Sequence, residues 1–118
     1  MVGRLAKPVA EYAAVQTWRQ GLIEQWGEAP ADFEQRAATL ERFCELVGRD
    51  PDDMIADCTR EVESGKRIRI KARREYSEKI AEFQKTAGAD ARSQGRAGNT
   101  VRSFFIHNGI FMQAGLGE

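Results

Sequence analysis

The residues best suited to chemistry lie in one run near the end of the chain, DARSQGRAGNTVRSFF. It holds Arg92, Ser93, Gln94, Arg96, Asn99 and Arg102. Arg92, Arg96 and Asn99 recur at helical spacing and would share one face. Arginine and asparagine are the side chains that read guanine and adenine edges or hold phosphate oxygens. Gly95 and Gly98 interrupt the same run, at about 1 kcal/mol of helix stability each relative to alanine. A helix that carries two glycines among donors suggests another backbone close by, either a packed helix or a nucleic-acid phosphate. The alternative is a solvated face whose glycines permit tight helix packing, and the residues alone leave both open.

A second constellation is SGKRIRIKARREY, which puts Lys66, Arg67, Arg69, Lys71, Arg73 and Arg74 into nine positions. It reads as a nucleic-acid grip or as the solvated face of a helix. Asp50, Asp52, Asp53, Asp57, Glu61 and Glu63 precede it, so much of its charge is expected to be answered inside the fold. Lys71 and Arg74 then add non-specific attraction at a flank, and the run around Arg96 makes the central contact.

Other candidates carry less. His107 is the single histidine and reads as a helix-end residue near the negative pole of its dipole. Asp50, Asp52 and Asp53 lack the glycine and distal glutamate of a calcium loop, so capping accounts for them better. Tyr12 and Tyr76 have no nearby base. Cys44 and Cys58 lack metal-type neighbours and read as buried free thiols. The expectation is no active site, no metal and no cofactor in these residues.

A length of 118 residues suits one domain. The formal charge is zero but unevenly spread. Residues 1–63 carry 7 basic and 13 acidic side chains, and residues 64–118 carry 11 basic and 5 acidic, a net −6 against +6. Such a split accompanies nucleic-acid or membrane contact, or an internal charge match. No apolar signal core opens the chain and no stretch reaches the length of a membrane span. A soluble, cytoplasmic, nucleoid-associated protein is expected.

Apolar periodicity near 3.6 predicts the elements. A first helix runs from about Pro8 to Trp26, with Val15, Trp18, Leu22 and Trp26 on one face and Gly27 at its end. A second begins near Asp32, where Asp32 and Gln35 have capping-box spacing. It buries Phe33, Ala37, Leu40, Phe43, Cys44 and Val47 and stops at Gly48. Asp50 and Pro51 start a third, with Met54, Ile55, Cys58 and Val62 inward. After a break at Ser64-Gly65, the basic stretch opens a fourth, with Ile68, Ala72, Tyr76, Ile80, Phe83 and Ala87 inward and an Arg74–Glu78 pair outside. A fifth spans about Ala91 to His107, ended by Asn108-Gly109. IFMQAGLGE reads as the start of a linker. The fold class is all-α, an orthogonal bundle of four to five helices.

The ordered features resemble the core-binding domain of tyrosine recombinases, the phage-integrase type in its archaeal style. Thr39, Leu40 and Phe43 match a Thr-Leu-x-x-Phe helix. Gly48 and Pro51 match a Gly-x-x-Pro helix start, and Phe83 a late phenylalanine. Ser93, Asn99, Val101, Ser103–Phe105 and Asn108–Ile110 match the final helix and its close. The likeness covers about residues 31–110, with 1–30 as an N-terminal helix and 111–118 as linker. It implies a SAM-like bundle that packs on one face of double-stranded DNA in DNA integration and recombination. A separate C-terminal domain would supply Arg, Lys, His-x-x-Arg and the nucleophilic Tyr. His107 is followed by Asn108, Gly109 and Ile110, so this stretch reads as the DNA-gripping part, without catalytic residues. The family's DNA-facing helices, the second and the last, point to Gln35 and Arg36, and to Arg92, Ser93, Gln94, Arg96, Asn99 and Arg102. The pattern departs at Asp32 and Glu34, where a phosphate-facing surface favours cations. Other recombinase subunits are the implied protein partners. A second hypothesis is a helical interaction or oligomerisation domain with no DNA contact, the −6 part of one copy meeting the +6 part of another. A helix-turn-helix regulator fits less well, because no short turn between two short helices is evident.

Overall fold

Helix boundaries fall mostly where local backbone chemistry favours them. The computed structural model describes residues 5–63 and 65–112. A single 3-10 turn, Val9–Glu11, follows Pro8, and Tyr12 is extended before α1, Ala13–Trp26. The first helix is therefore shorter than expected, interrupted at Tyr12. Gly27 closes α1 at φ 87° and Gly48 closes α2, Phe33–Val47, at φ 73°, a left-handed shape that costs glycine little. Helix α3, Pro51–Cys58, starts as expected: the Asp53 amide donates to Asp50 Oδ1 at 2.7 Å and Pro51 takes the first position. Asp52 has a further use, accepting from the Ala14 amide at 2.7 Å and so fixing the start of α1.

The capping box at Asp32 does not form. No side chain caps α2, and Asp32 Oδ1 instead accepts from Arg36 Nε at 2.9 Å.

The region after Cys58 departs further from expectation. Strands β1, Thr59–Val62, and β2, Gly65–Ile68, form an antiparallel ribbon, with Arg60 opposite Arg67 and Thr59 opposite Ile68. The residues explain it afterwards. Arg67-Ile68-Arg69-Ile70-Lys71 alternates with the period of a strand, and Thr59 and Val62 are β-branched. Gly65 follows the turn at φ 129°, a conformation other residues resist. Ile68 is consequently 37% exposed and not a core residue. Helix α4 begins only at Ile70 and runs to Thr86; α5 spans Ala91–His107. The described chain is mostly helical, five α-helices with this two-stranded ribbon, so the all-α expectation holds for the bundle and fails for the ribbon.

Helix α5 is the element the others pack around, touching α1, α2 and α4. Trp18 meets Phe33 and Phe104 with ring centroids 5.2 and 5.7 Å apart, Phe43 meets Phe83 at 5.4 Å, and Tyr76 meets Phe105 at 5.5 Å. Phe43, Phe104 and Phe105 are fully buried, each worth about 2–3 kcal/mol in transfer from water. Trp18 Nε1 donates to Ser103 Oγ at 3.1 Å, so the indole is buried without losing its hydrogen bond. Asn108 Nδ2 donates to the carbonyls of Phe104 and Ala14, tying the end of α5 to the start of α1.

The chain after α5 does not leave the domain at once. Ile110 is fully buried and Met112 is 5% exposed. Phe111 between them is exposed, and residues 113–118 of the expected linker lie outside the described residues.

Candidate nucleic-acid interface

A groove of about 540 Å³ opens between the first turns of α2 and the first half of α5. Asp32, Gln35, Arg36 and Thr39 line it from α2 and its cap, and Arg92, Gly95, Arg96 and Asn99 from α5. The spacing argument for Arg92, Arg96 and Asn99 thus describes one real face, and Gln35 and Arg36 stand across from it.

Arg92 and Arg96 are exposed and form no ion pair among the described residues. Arg36 is partly engaged: it pairs with Asp32 and its guanidinium lies 5.1 Å from the Trp26 ring centroid. The hydrogen bond from Arg36 holds the Asp32 carboxyl below its usual range against the opposing effect of burial, and the charge of Arg96 adds to it. The groove therefore carries three guanidiniums against one carboxylate. No side chain caps the first turn of α2, which leaves its positive end open to an anion.

Asn99 is oriented from behind. Arg102 Nη1 donates to Asn99 Oδ1 at 3.0 Å. Arginine only donates, so the asparagine oxygen must face it and the amide N–H groups point elsewhere. Asn99 is exposed on the groove and offers donors there, suited to phosphate, purine N7 or guanine O6.

Three residues expected at the interface are used otherwise. Arg102 is 8% exposed and also bonds Gln84 Oε1 at 2.9 Å; it is turned into the α4–α5 contact and acts through Asn99. The Ser93 amide and Oγ donate to Asp90 Oδ1 at 2.9 and 2.6 Å, closing the cap of α5. Those bonds hold the Asp90 carboxyl below its usual range. Gln94 Nε2 donates to the Gly88 carbonyl at 3.3 Å.

The two glycines separate. A Cβ on Gly98 would collide with Gln84 Oε1 of α4, so close helix packing accounts for it. A Cβ on Gly95 would meet nothing within 4 Å. Gly95 keeps the groove floor low without any neighbour in the chain that requires it.

Lys71 and Arg74 are exposed but lie elsewhere. Helices α4 and α5 run antiparallel, with Tyr76 on Phe105 and Gln84 on Arg102. The start of α4 therefore sits beside the far half of α5, with Asn99 and Phe105 already about 9 Å apart along the helix axis. The Arg74–Glu78 pair does not form; the described ion pairs are Arg36–Asp32, Arg49–Asp53, Arg49–Asp57 and Lys79–Glu82. None of these ion pairs joins the acidic run to the basic stretch; what answer there is comes at longer range, from the charge of Arg69 on Asp57, and from the register that sets Glu61 opposite Lys66.

Sequence reasoning missed Asp32 and Thr39 as groove residues. The i,i+4 spacing of Asp32 and Arg36 was the available signal. Both cysteines are buried, and burial pushes each thiol up to about 12, which makes them inert. No helix among the described residues is long and apolar enough to cross a membrane. No family model, curated protein or solved structure matches this chain.

Proposed function

We propose that this chain is a duplex-DNA-binding domain that seats a phosphate backbone in the groove between α2 and α5. The carrying observation is the convergence of Arg36, Arg92, Arg96 and the donor end of Asn99 on that groove. Arg92 and Arg96 hold phosphates and set register. Asn99, with Gln35, samples base-edge acceptors. Each phosphate neutralised contributes about −0.9 to the slope of log affinity against log salt. Titration of labelled duplex at two salt concentrations tests this. Affinity should fall with salt, and fall further in Arg96→Ala/Asn99→Ala than in charge reversal of Lys71 and Arg74. Salt-independent affinity contradicts the reading.

The finer proposal is a SAM-like core-binding domain of a tyrosine recombinase, working with other subunits and with a catalytic domain outside this sequence. Its support is the ordered motif set from Thr39 to Ile110. Leu40, Phe43, Phe83, Val101, Phe104, Phe105 and Ile110 are buried, and Gly48, Pro51 and Asn108 end or start helices. Those positions do structural work, so they bear on the bundle more than on its target.

A helical protein-interaction domain is the second reading. It is favoured by the exposed apolar residues Leu46, Ile70, Ile106 and Phe111. A stable oligomer at high salt together with no duplex affinity would select it.

A further inference from the structure

The β-ribbon forms a second cationic surface away from the groove. Arg60 and Arg67 stand directly opposite each other in the register, on one face of the ribbon with their Cβ atoms about 5 Å apart. Like charges in that position are destabilising, and an isolated two-stranded ribbon is marginal to begin with. Nothing in the described chain relieves the pair. Arg60, Arg67, Lys71 and Arg74 are all exposed and take no part in the described ion pairs or side-chain hydrogen bonds.

Three aspartates of the preceding helix and its cap are committed elsewhere. Asp50 caps α3 and Asp52 holds the Ala14 amide. Asp57 accepts from Arg49 Nε and Nη2, at 3.0 and 2.7 Å, and from Tyr76 Oη at 2.6 Å. Arg69 lends its charge to Asp57, and its amide donates to the Cys58 carbonyl at 2.7 Å. That bond fixes the ribbon to the end of α3 and leads straight into α4. Arg60 and Arg67 on the ribbon and Lys71 and Arg74 on the first turns of α4 are thus carried by elements that follow one another directly. Glu61 and Glu63 are the only acids on the ribbon and its turn.

We infer that this ribbon and the start of α4 are a second binding surface for the phosphodiester backbone of duplex DNA. The paired guanidiniums of Arg60 and Arg67 would straddle one phosphate, with Lys71 and Arg74 on the next. A single anion between the two arginines turns an unfavourable contact into two charge-assisted hydrogen bonds. The inference rests on the affinity for duplex DNA proposed above, but not on the groove.

The test compares the full chain with Arg60→Gln/Arg67→Gln and with Arg92→Gln/Arg96→Gln by anisotropy of a labelled duplex over a salt series. Loss of the one phosphate that the two arginines share should flatten the log–log salt slope by about 0.9 in the ribbon variant. Arg60→Lys/Arg67→Lys should keep the slope. The thermal midpoint of the glutamine ribbon variant should stay equal or rise, because a like-charge pair is removed. That keeps a binding loss from being mistaken for unfolding. Wild-type slope and affinity in the ribbon variant, with the groove variant impaired, would overturn this inference and leave the groove reading standing. The reverse pattern would uphold the ribbon and overturn the groove. A wild-type chain that binds no duplex would overturn both. A salt-sensitive dimer without DNA that vanishes in the ribbon variant, while duplex binding persists, would give the surface to the acidic part of a second copy and overturn the inference.

Discussion

Gly95 is the residue whose cost lacks a structural return. It lies inside α5, lines the groove and has open space where a Cβ would stand. Replacement by alanine should therefore raise stability by about 1 kcal/mol, read as a higher denaturation midpoint. The same methyl group would stand where a phosphate backbone comes close, so Gly95→Ala should lower duplex affinity while stabilising the free chain. Equal affinity would mean that no partner approaches the helix at this point. Gly98 is the internal comparison, since Gln84 already fills the space beside it. The sequence made both glycines conspicuous but could not separate them, because their difference lies in what α4 brings alongside. Arg102 shows the same limit. Its spacing suggests the groove, yet its length lets the guanidinium reach back to Gln84 and Asn99.

At the level of elements, Asp57 joins three segments: its own helix α3, Tyr76 of α4, and Arg49 from the turn between α2 and α3. Burial acts to raise its carboxyl, but the bonds from Arg49 and Tyr76 outweigh it and hold the value below the ordinary 3.8. Burial and the bond to Asp57 push the Tyr76 phenol up in turn. A carboxyl depressed in the folded state contributes stability that is fully present above its unfolded value. That stability is lost as pH falls through the folded value, so the decline belongs below about pH 4. Asp57→Asn should be less stable than wild type at neutral pH and lose less on acidification. Denaturation midpoints over the acid range measure this; identical acid slopes would show that Asp57 is not the group responsible. Helices were legible here because capping and apolar period act within a few residues, as at Asp50-Pro51 and Gly48. The ribbon was not, because Ile68, Ala72 and Tyr76 also fit a helical stripe. Only the strict alternation through Lys71 and the glycine at 65 spoke for strands. Asp32 was missed as a groove residue because its carboxylate has two local partners to choose from. Arg36 won over the backbone amides.

At the scale of the molecule, the neutral total conceals exposed cations in two places among the described residues, in the groove at the start of α5 and on the ribbon and the start of α4. The bulk asymmetry of charge was visible in the sequence. Its division between two sites depends on α4 and α5 running antiparallel, which no local pattern encodes. A duplex that engages the groove should perturb one surface first and strongly, the other only through non-specific attraction or the second contact inferred above. The most direct measurement is a backbone amide NMR titration of the full chain with a short duplex. The account expects the largest shifts at residues 33–39 and 91–100, with those on Gly95, Arg96 and Asn99 reversed by salt. Shifts that spare both segments, or that centre on Leu46, Ile106 and Phe111, would contradict it.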